Sequence, residues 1–373
     1  MNTQNRARIL LLIPHLGGGG CEQVFALLAQ NLPCNKYEVH LGLIAQCSVE
    51  SSLFPPEVAV HCLGASRIRF AVFRLLKLVR RLNPGLILSG MFHLNFLVLL
   101  VRPLFPEPIQ VLVRQNGTLS SSLSQDPFPV YTRYLYRLLY RRADGVICQS
   151  DAMARDLARE TGVAPCRVAA LPNPVDVEGI RAELHGQQIL YSGPGPHLLA
   201  VGRLSREKGF DLLLQALAIL RAQLPHADLV IAGSGPEEAV LRHQCRGLGI
   251  ERAVHFAGQV AQPAAYFSGA TAFVLPSRYE AMPNALLEAA AAGLPIAALP
   301  ASAGIADLLN GQPGTWLAPE ISAESLAATL LNGLRQLEFG QRFDHRFLEP
   351  FQLKRAIGAY EDLIDGALLK GAR

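Results

Sequence analysis

Apolar residues in this chain gather into short unbroken runs, at positions 9–13, 39–45, 58–63, 86–88, 109–113, 146–148 and 168–171, and again at 197–202, 229–232, 254–257, 272–275 and 296–299. Runs of this kind, bounded by turn residues, predict strands covered on both faces. Between them apolar positions recur every three or four residues, as in Val24, Phe25, Leu27, Leu28 and Leu32, or Leu213, Leu214, Ala216 and Leu217. That spacing predicts amphipathic helices. Strands alternating with helices predict an α/β protein, and the interruption near 172–196 predicts two Rossmann-like, doubly wound domains. The first is expected over 1–182, rejoined by a returning helical stretch at 352–373, and the second over 183–351. Residues 186–196, with Gly193, Pro194, Gly195 and Pro196, read as a linker.

The clearest local signal is the stretch 276–295. A strand at 272–275, a loop, a helix over 284–292 and a strand at 296–299 make a βαβ crossover. Pro283 suits the helix start, Gly293 stops the helix and Pro295 prevents its resumption. Glu280 lies in the loop and Glu288 about one turn into the helix, so both can face one ligand. The helix N-terminus between them offers unpaired N–H groups and a partial positive charge, which favours a phosphate. A carboxylate beside that phosphate suits sugar hydroxyls. The plainer account of two isolated glutamates is a carboxylate complementing a helix dipole and another on a solvated face.

Arg203 and Lys208 follow the strand at 197–202, past its carboxyl end, where doubly wound sheets bind ligands. With the helix dipole and a glycine loop they would neutralise a diphosphate; standing alone, they could be solvent charges flanking the next helix. Diphosphate and polyol together describe a nucleotide sugar. In the first half, His15, the glycines 17–20, His93, Arg114, Asn116 and Ser150 fall at the corresponding rim. Each has a structural alternative: His93 a core or turn histidine, Arg114 a surface ion, Ser150 a helix cap. The glycines do not complete a dinucleotide fingerprint, because Glu22 or Gln23 stands where the third glycine belongs and the second strand ends without an acid. This weakens the rival reading of a nicotinamide-dependent oxidoreductase. No Gly-Lys pair exists, which excludes a P-loop.

Composition narrows the classes further. The chain has 373 residues, 50% hydrophobic and 17% charged, which excludes disorder, and no apolar run approaches the roughly 18 residues of a spanning helix. Seven cysteines without a Cys-x-x-Cys pair suit reduced thiols in a cytoplasmic protein. No Cys and His stand at metal-ligand spacing, so neither metal nor cofactor is expected. Net charge is +4, with 19 Lys and Arg against 13 Asp and Glu over 1–190 and 15 against 17 over 191–373. The basic half favours an acidic substrate or surface, and no nucleic-acid module is present. Two basic amphipathic stretches, 67–82 and 131–142, fit peripheral contact with an anionic membrane or ordinary solvated helix faces.

These pieces together resemble the family 4 retaining glycosyltransferases, which have the two-Rossmann fold called GT-B. The resemblance runs through Gly17-Gly-Gly-Gly-Cys-Glu22, 172–176, Val201-Gly-Arg-Leu-Ser-Arg-Glu-Lys-Gly209, Ala232-Gly-Ser-Gly-Pro236, Phe256-Ala-Gly258 and the glutamates 280 and 288. It implies two domains facing across a cleft and transfer of a hexosyl or N-acetylhexosaminyl group from a nucleoside-diphosphate sugar, UDP-linked, to a glycan or lipid-linked acceptor in surface-polysaccharide assembly. By the same resemblance, Arg203 and Lys208 hold the donor diphosphate, Glu288 the ribose, and backbone near Phe256 the base. Glu280 contacts the donor sugar, helped by the backbone of Ala281, Met282 and Asn284. Gly17, Gly18, Gly19 and Gly235 approach the donor; His93 is an active-site histidine; His15, Arg114 and Asn116 lie on the acceptor side. One departure is Ala281, where the family often has glycine, and it motivates a second rival, a nucleotide-sugar-binding protein without transferase activity.

Overall fold

The computed structural model describes residues 6–371 apart from 18, 46–52, 125, 185–190, 192, 261–263 and 339, so Gly18 and most of the expected linker lie outside the described residues. Contacts divide the chain into two compact units, Met1–Pro174 with Lys354–Arg373, and Val175–Leu353.

The first unit is built on strands β1 (Ala7–Ile13), β2 (Tyr37–Leu43), β3 (Ala59–Cys62), β4 (Leu86–Gly90), β5 (Gln110–Arg114), β6 (Gly145–Cys148) and β7 (Val168–Ala170). They form one seven-stranded sheet in the order β3-β2-β1-β4-β5-β6-β7, and every pairing is parallel. Parallel strands need crossovers, and the helices that provide them cover both faces. Residues 9–13 of β1 are accordingly 0% exposed. The final helix, Leu353–Gly371, buries Ala356, Ile357, Tyr360 and Ile364 in this unit, and the Tyr37 hydroxyl donates to Asp365 at 2.5 Å. Ser150 caps the helix Asp151–Thr161, its hydroxyl accepting from the Met153 N–H at 3.3 Å, as the cap reading expects.

The second unit holds β8 (His197–Val201), β9 (Asp228–Ala232), β10 (Val254–Gly258), β11 (Ala272–Leu275), β12 (Ile296–Ala298) and β13 (Thr315–Leu317). Their order is β10-β9-β8-β11-β12-β13, again all parallel. Strand order reverses beside β1 in the first unit, between β1 and β4, and between β8 and β11 in the second. Loops leaving adjacent strands there turn to opposite faces and open a crevice at the carboxyl ends, where doubly wound sheets bind ligands.

Two details differ from expectation or bear on stability. Cys62 is disulfide-bonded, which corrects the reading of all the cysteines as reduced thiols; Cys21, Cys34, Cys148, Cys166 and Cys245 are free. Beside it, His61 Nε2 lies 3.0 Å from Nδ1 of His40 on the neighbouring strand. Burial, with repulsion from His40 and Arg81, pushes His61 down to about 4. The unfolded imidazole titrates near pH 6.5, so on acidification the unfolded chain takes up this proton first. The contribution is fully present above about pH 6.5 and lost towards pH 4. After discounting for partial exposure, about 1 kcal/mol of unfolding free energy is expected to disappear across that window. Denaturant titrations over this pH range, with His61→Asn flattening the slope, check it.

Candidate active site

Chain geometry brings Lys208 and Glu280 together from loops leaving the adjacent strands β8 and β11. Lys208 Nζ donates to both Glu280 oxygens, at 2.8 and 2.7 Å, with the two side chains 24% and 13% exposed. The approach depends on Gly209, which ends a short 3₁₀ turn over Arg206–Lys208 at φ 66°. A Cβ there would stand 1.9 Å from the Pro276 carbonyl oxygen, so no other residue lets the two loops pass so closely. Arg278 adds a second tie. Its guanidinium donates to both Asp211 oxygens at 2.6 Å, and its backbone N–H donates to the Glu207 carbonyl at 2.8 Å. Burial works against the Asp211 charge, but the Arg278 bonds prevail and hold its carboxyl below the ordinary range. This pair was not read from the sequence; its members are 67 positions apart.

The remaining residues of the second unit fall into distinct places. Arg203 is exposed. Gly235 packs on the same loop: a Cβ would lie 2.3 Å from the Leu204 carbonyl oxygen, while the Leu204 N–H donates to the Ser234 carbonyl at 3.0 Å. Phe256 lies under the Arg242 guanidinium, 4.4 Å from its ring centroid, and the Gly258 carbonyl accepts from Gly233 N–H at 2.7 Å. The helix Asn284–Ala291 starts after Pro283 in extended backbone, and the Leu286 N–H of its first turn donates to the Pro283 carbonyl at 3.2 Å. Asn284, Glu288 and Met282 are buried, and Met282 belongs to the apolar core, so what it can offer a ligand is its backbone. Ala281 is half-buried. Ser277 is 0% exposed, and its hydroxyl has no hydrogen-bond partner among the described residues. The neighbouring positions 276–280 drew attention for their charges, and a lone serine gave no signal.

At the β1/β4 crevice of the first unit, the Gly17 N–H donates to His15 Nδ1 at 3.1 Å, and the same nitrogen lies 3.5 Å from buried Glu22. Gly19 precedes the helix Gly20–Asn31 and, like Gly17, is exposed. His93 is exposed in the first turn of the helix Phe92–Val101, its ring 3.5 Å from that of Phe92. Met91, before that helix, has φ 73° and ψ 131°, a backbone state that costs a non-glycine residue about 1–3 kcal/mol and is found where a site is held under constraint.

Arg114 is placed differently from both sequence readings. It is 0% exposed, neither a surface ion nor a rim contact. Its guanidinium donates to the Tyr360 hydroxyl at 3.2 Å, to Asn173 Oδ1 at 2.5 Å and to Asn116 Oδ1. Asn116 in turn donates to Cys21 Sγ at 3.3 Å. Burial opposes the Arg114 charge, but Tyr360 and Cys21 outweigh it and hold the guanidinium above the ordinary arginine value; burial raises the Cys21 thiol in turn. Arg114 therefore positions Asn116 rather than meeting a ligand itself.

Comparison with known proteins identifies the family and the fold. A family model described as Glycosyltransferase Family 4 matches residues 18–178, and one described as Glycosyl transferases group 1 matches 195–336. The Campylobacter jejuni N-acetylgalactosamine-N,N'-diacetylbacillosaminyl-diphospho-undecaprenol 4-alpha-N-acetylgalactosaminyltransferase is 27% identical over 341 residues, covering 88% of this chain and 89% of that protein. The match to glycogen synthase of Mycobacterium tuberculosis is partial, 32% identical over 217 residues, covering 58% of this chain and 50% of that enzyme. In fold, the Anabaena protein HepE in complex with UDP and glucose superposes with a TM-score of 0.79 at 17% identity, covering 97% and 100% of the two chains. Sucrose-phosphate synthase from Thermosynechococcus elongatus gives 0.80 at 19% identity, covering 99% and 100%. The two families run through both units, and the chain is a glycosyltransferase of family 4 with the GT-B fold.

Proposed function

We propose that this glycosyltransferase moves a hexosyl or N-acetylhexosaminyl group from a UDP-sugar to a hydroxyl of a lipid-linked glycan, with retention of configuration, at a membrane surface where that acceptor resides. The observation that carries the reading is the chelated Lys208–Glu280 pair at the β8/β11 crevice. A cation beside a carboxylate suits a diphosphate joined to a polyol: Lys208 for the phosphate oxygens, Glu280 for the sugar hydroxyls. Arg203 adds a second cation and the first turn of Asn284–Ala291 adds backbone donors, with Glu288 inside the same helix for the ribose. The C. jejuni relative's name specifies a diphospho-undecaprenol acceptor, which supports the lipid-linked assignment.

In the reaction the bond from the anomeric carbon to the diphosphate oxygen breaks and one from the acceptor oxygen forms. Charge develops on the departing diphosphate, and preorganised cations there lower the barrier most. Glu280 has both oxygens engaged by Lys208, which disfavours it as a covalent nucleophile. The acceptor therefore attacks from the leaving-group face, and its proton passes to the departing phosphate. His93, exposed beside the strained Met91, is assigned to the sugar side of the acceptor crevice. A thermal-shift screen should show stabilisation by UDP-sugars, and NMR of the product should show the donor's anomeric configuration. An inverted product would overturn the mechanism, and stabilisation by NAD alone would overturn the donor.

A further inference from the structure

Exposed aromatic side chains are not scattered over the molecule. Among the described residues the exposed Phe and Tyr side chains are Phe70, Phe73, Phe92, Phe128, Tyr131 and Tyr134, from 43% to 85% exposed, all within the first unit. Ordinary surfaces carry single exposed apolar side chains, whereas contiguous ones mark an interaction site. These are contiguous through their elements. The 3₁₀ turn Ile68–Ala71 and the helix Pro129–Leu139 both pack against the helix Phe92–Val101, with the Phe96 and Tyr136 rings edge to face at 4.8 Å. The helix Pro129–Leu139 turns Tyr136 and Leu139 inward, at 3% and 4% exposure, and leaves Tyr131, Tyr134 and Leu138 outward at helical spacing. Its outward face is thus apolar where solvent would favour charge.

The charge of the same region selects the occupant. Residues 66–142 contain 12 Lys and Arg and only 2 Asp and Glu, in a chain whose net charge is +4. Several of those cations are committed: Arg74 to the carbonyls of Leu63 and Gly64, Arg133 and Arg137 to Glu160, Arg102 to Asp144. Arg69, Lys77 and Arg80 have no anionic partner among the described residues and are exposed. Phe73, Lys77 and Arg80 are spaced at one turn of the helix Val72–Leu82, and in the 3₁₀ turn before it the Arg69 guanidinium lies over the Phe70 ring at 5.0 Å. A protein partner would need a large acidic apolar complement. A bilayer with anionic lipid offers both properties at once: headgroup charge for the cations and an interfacial zone in which aromatic rings settle.

We propose that this face, from the 3₁₀ turn and helix at 68–82 to the helix Pro129–Leu139, docks the protein on an anionic lipid surface, with Phe73, Tyr131 and Tyr134 entering the headgroup zone and Arg69, Lys77 and Arg80 on the phosphates. The inference rests on the lipid-linked acceptor only for its purpose; the surface stands or falls by itself. The full chain should float with phosphatidylcholine vesicles containing about a third phosphatidylglycerol, with binding weakened by salt, and should not float with phosphatidylcholine alone. Arg69→Gln/Lys77→Gln/Arg80→Gln should lower partitioning about a hundredfold, at about fivefold per cation. Phe73→Ser/Tyr131→Ser/Tyr134→Ser should lower it at least tenfold, leaving the melting temperature and its shift by UDP-sugar unchanged. Wild-type partitioning by either variant overturns the proposal, as does concentration-dependent self-association of wild type without flotation, which would assign the face to a second copy. A UDP-sugar shift without flotation defeats the docking face alone; flotation without any donor shift defeats the transferase reading and leaves the face intact.

Discussion

Lys208→Met is expected to lower kcat by about 10² to 10³, the loss typical when one preorganised donor to a developing negative charge is removed. Its Nζ lies within 2.8 Å of both Glu280 oxygens, so the substitution also leaves that carboxylate without its counter-ion in a site where it is 13% exposed. Glu280 is then expected to repel the donor diphosphate, and the KM for donor should rise with the fall in kcat. Glu280→Gln removes the repulsion and keeps the cation, so its effect should appear mainly in discrimination among donor sugars. Because the two side chains act through each other, the double substitution should cost much less than the product of the single effects. Initial-rate kinetics on the four proteins check this. Near wild-type turnover in Lys208→Met, or strictly multiplicative effects, would falsify the assigned roles.

Arg114→Ala is the largest expected loss of stability. The guanidinium is fully buried and serves three acceptors, on Tyr360, Asn173 and Asn116. Removing it leaves those acceptors without their donor, at about 1 kcal/mol each, and opens a cavity. Relief from a buried charge works the other way, since burial is the largest influence on the guanidinium and opposes its charge, but the three lost hydrogen bonds and the cavity outweigh it. A net loss of about 3 kcal/mol follows, lowering the melting transition of the first unit by about 6–12 °C and leaving that of the second unit in place. Arg114→Lys should recover only part of it, since an ammonium cannot reach three directions with a planar fork. Scanning calorimetry decides; an unchanged first transition would show that the polar cluster is not what holds the segments together.

Both cases mark where the sequence stops being legible. Strands such as β1, β5 and β11 were readable because parallel sheets covered on both faces need uninterrupted apolar runs. The helix Asn284–Ala291 was readable because Pro283 and Gly293 bracket it. β13, at 315–317, was not read, being three half-buried residues with no run to detect. At the site, Lys208 and Glu280 were named separately, but their direct pairing spans 72 positions and depends on Gly209 passing under the Pro276 carbonyl, a closeness no local pattern encodes. Arg114 was placed correctly at the carboxyl end of a strand and wrongly at an accessible rim, because nothing near it in the chain announces that Tyr360, 246 positions later, closes over it.

That closure has a consequence for the order of assembly. The second unit is a single continuous stretch, whereas the first needs Lys354–Arg373, which the ribosome makes after all of the second. Nascent domains fold as units when their sequence has emerged, so the N-terminal unit, although made first, waits with its Arg114 lacking the Tyr360 hydroxyl while Val175–Leu353 is synthesised. During that interval the first unit, all of whose strands lie before Pro174, lacks the helix in which Ala356, Ile357 and Ile364 are buried once folding is complete. Synthesis of the helix Leu353–Gly371, and not the appearance of either sheet, is then the event that commits this protein to its folded state.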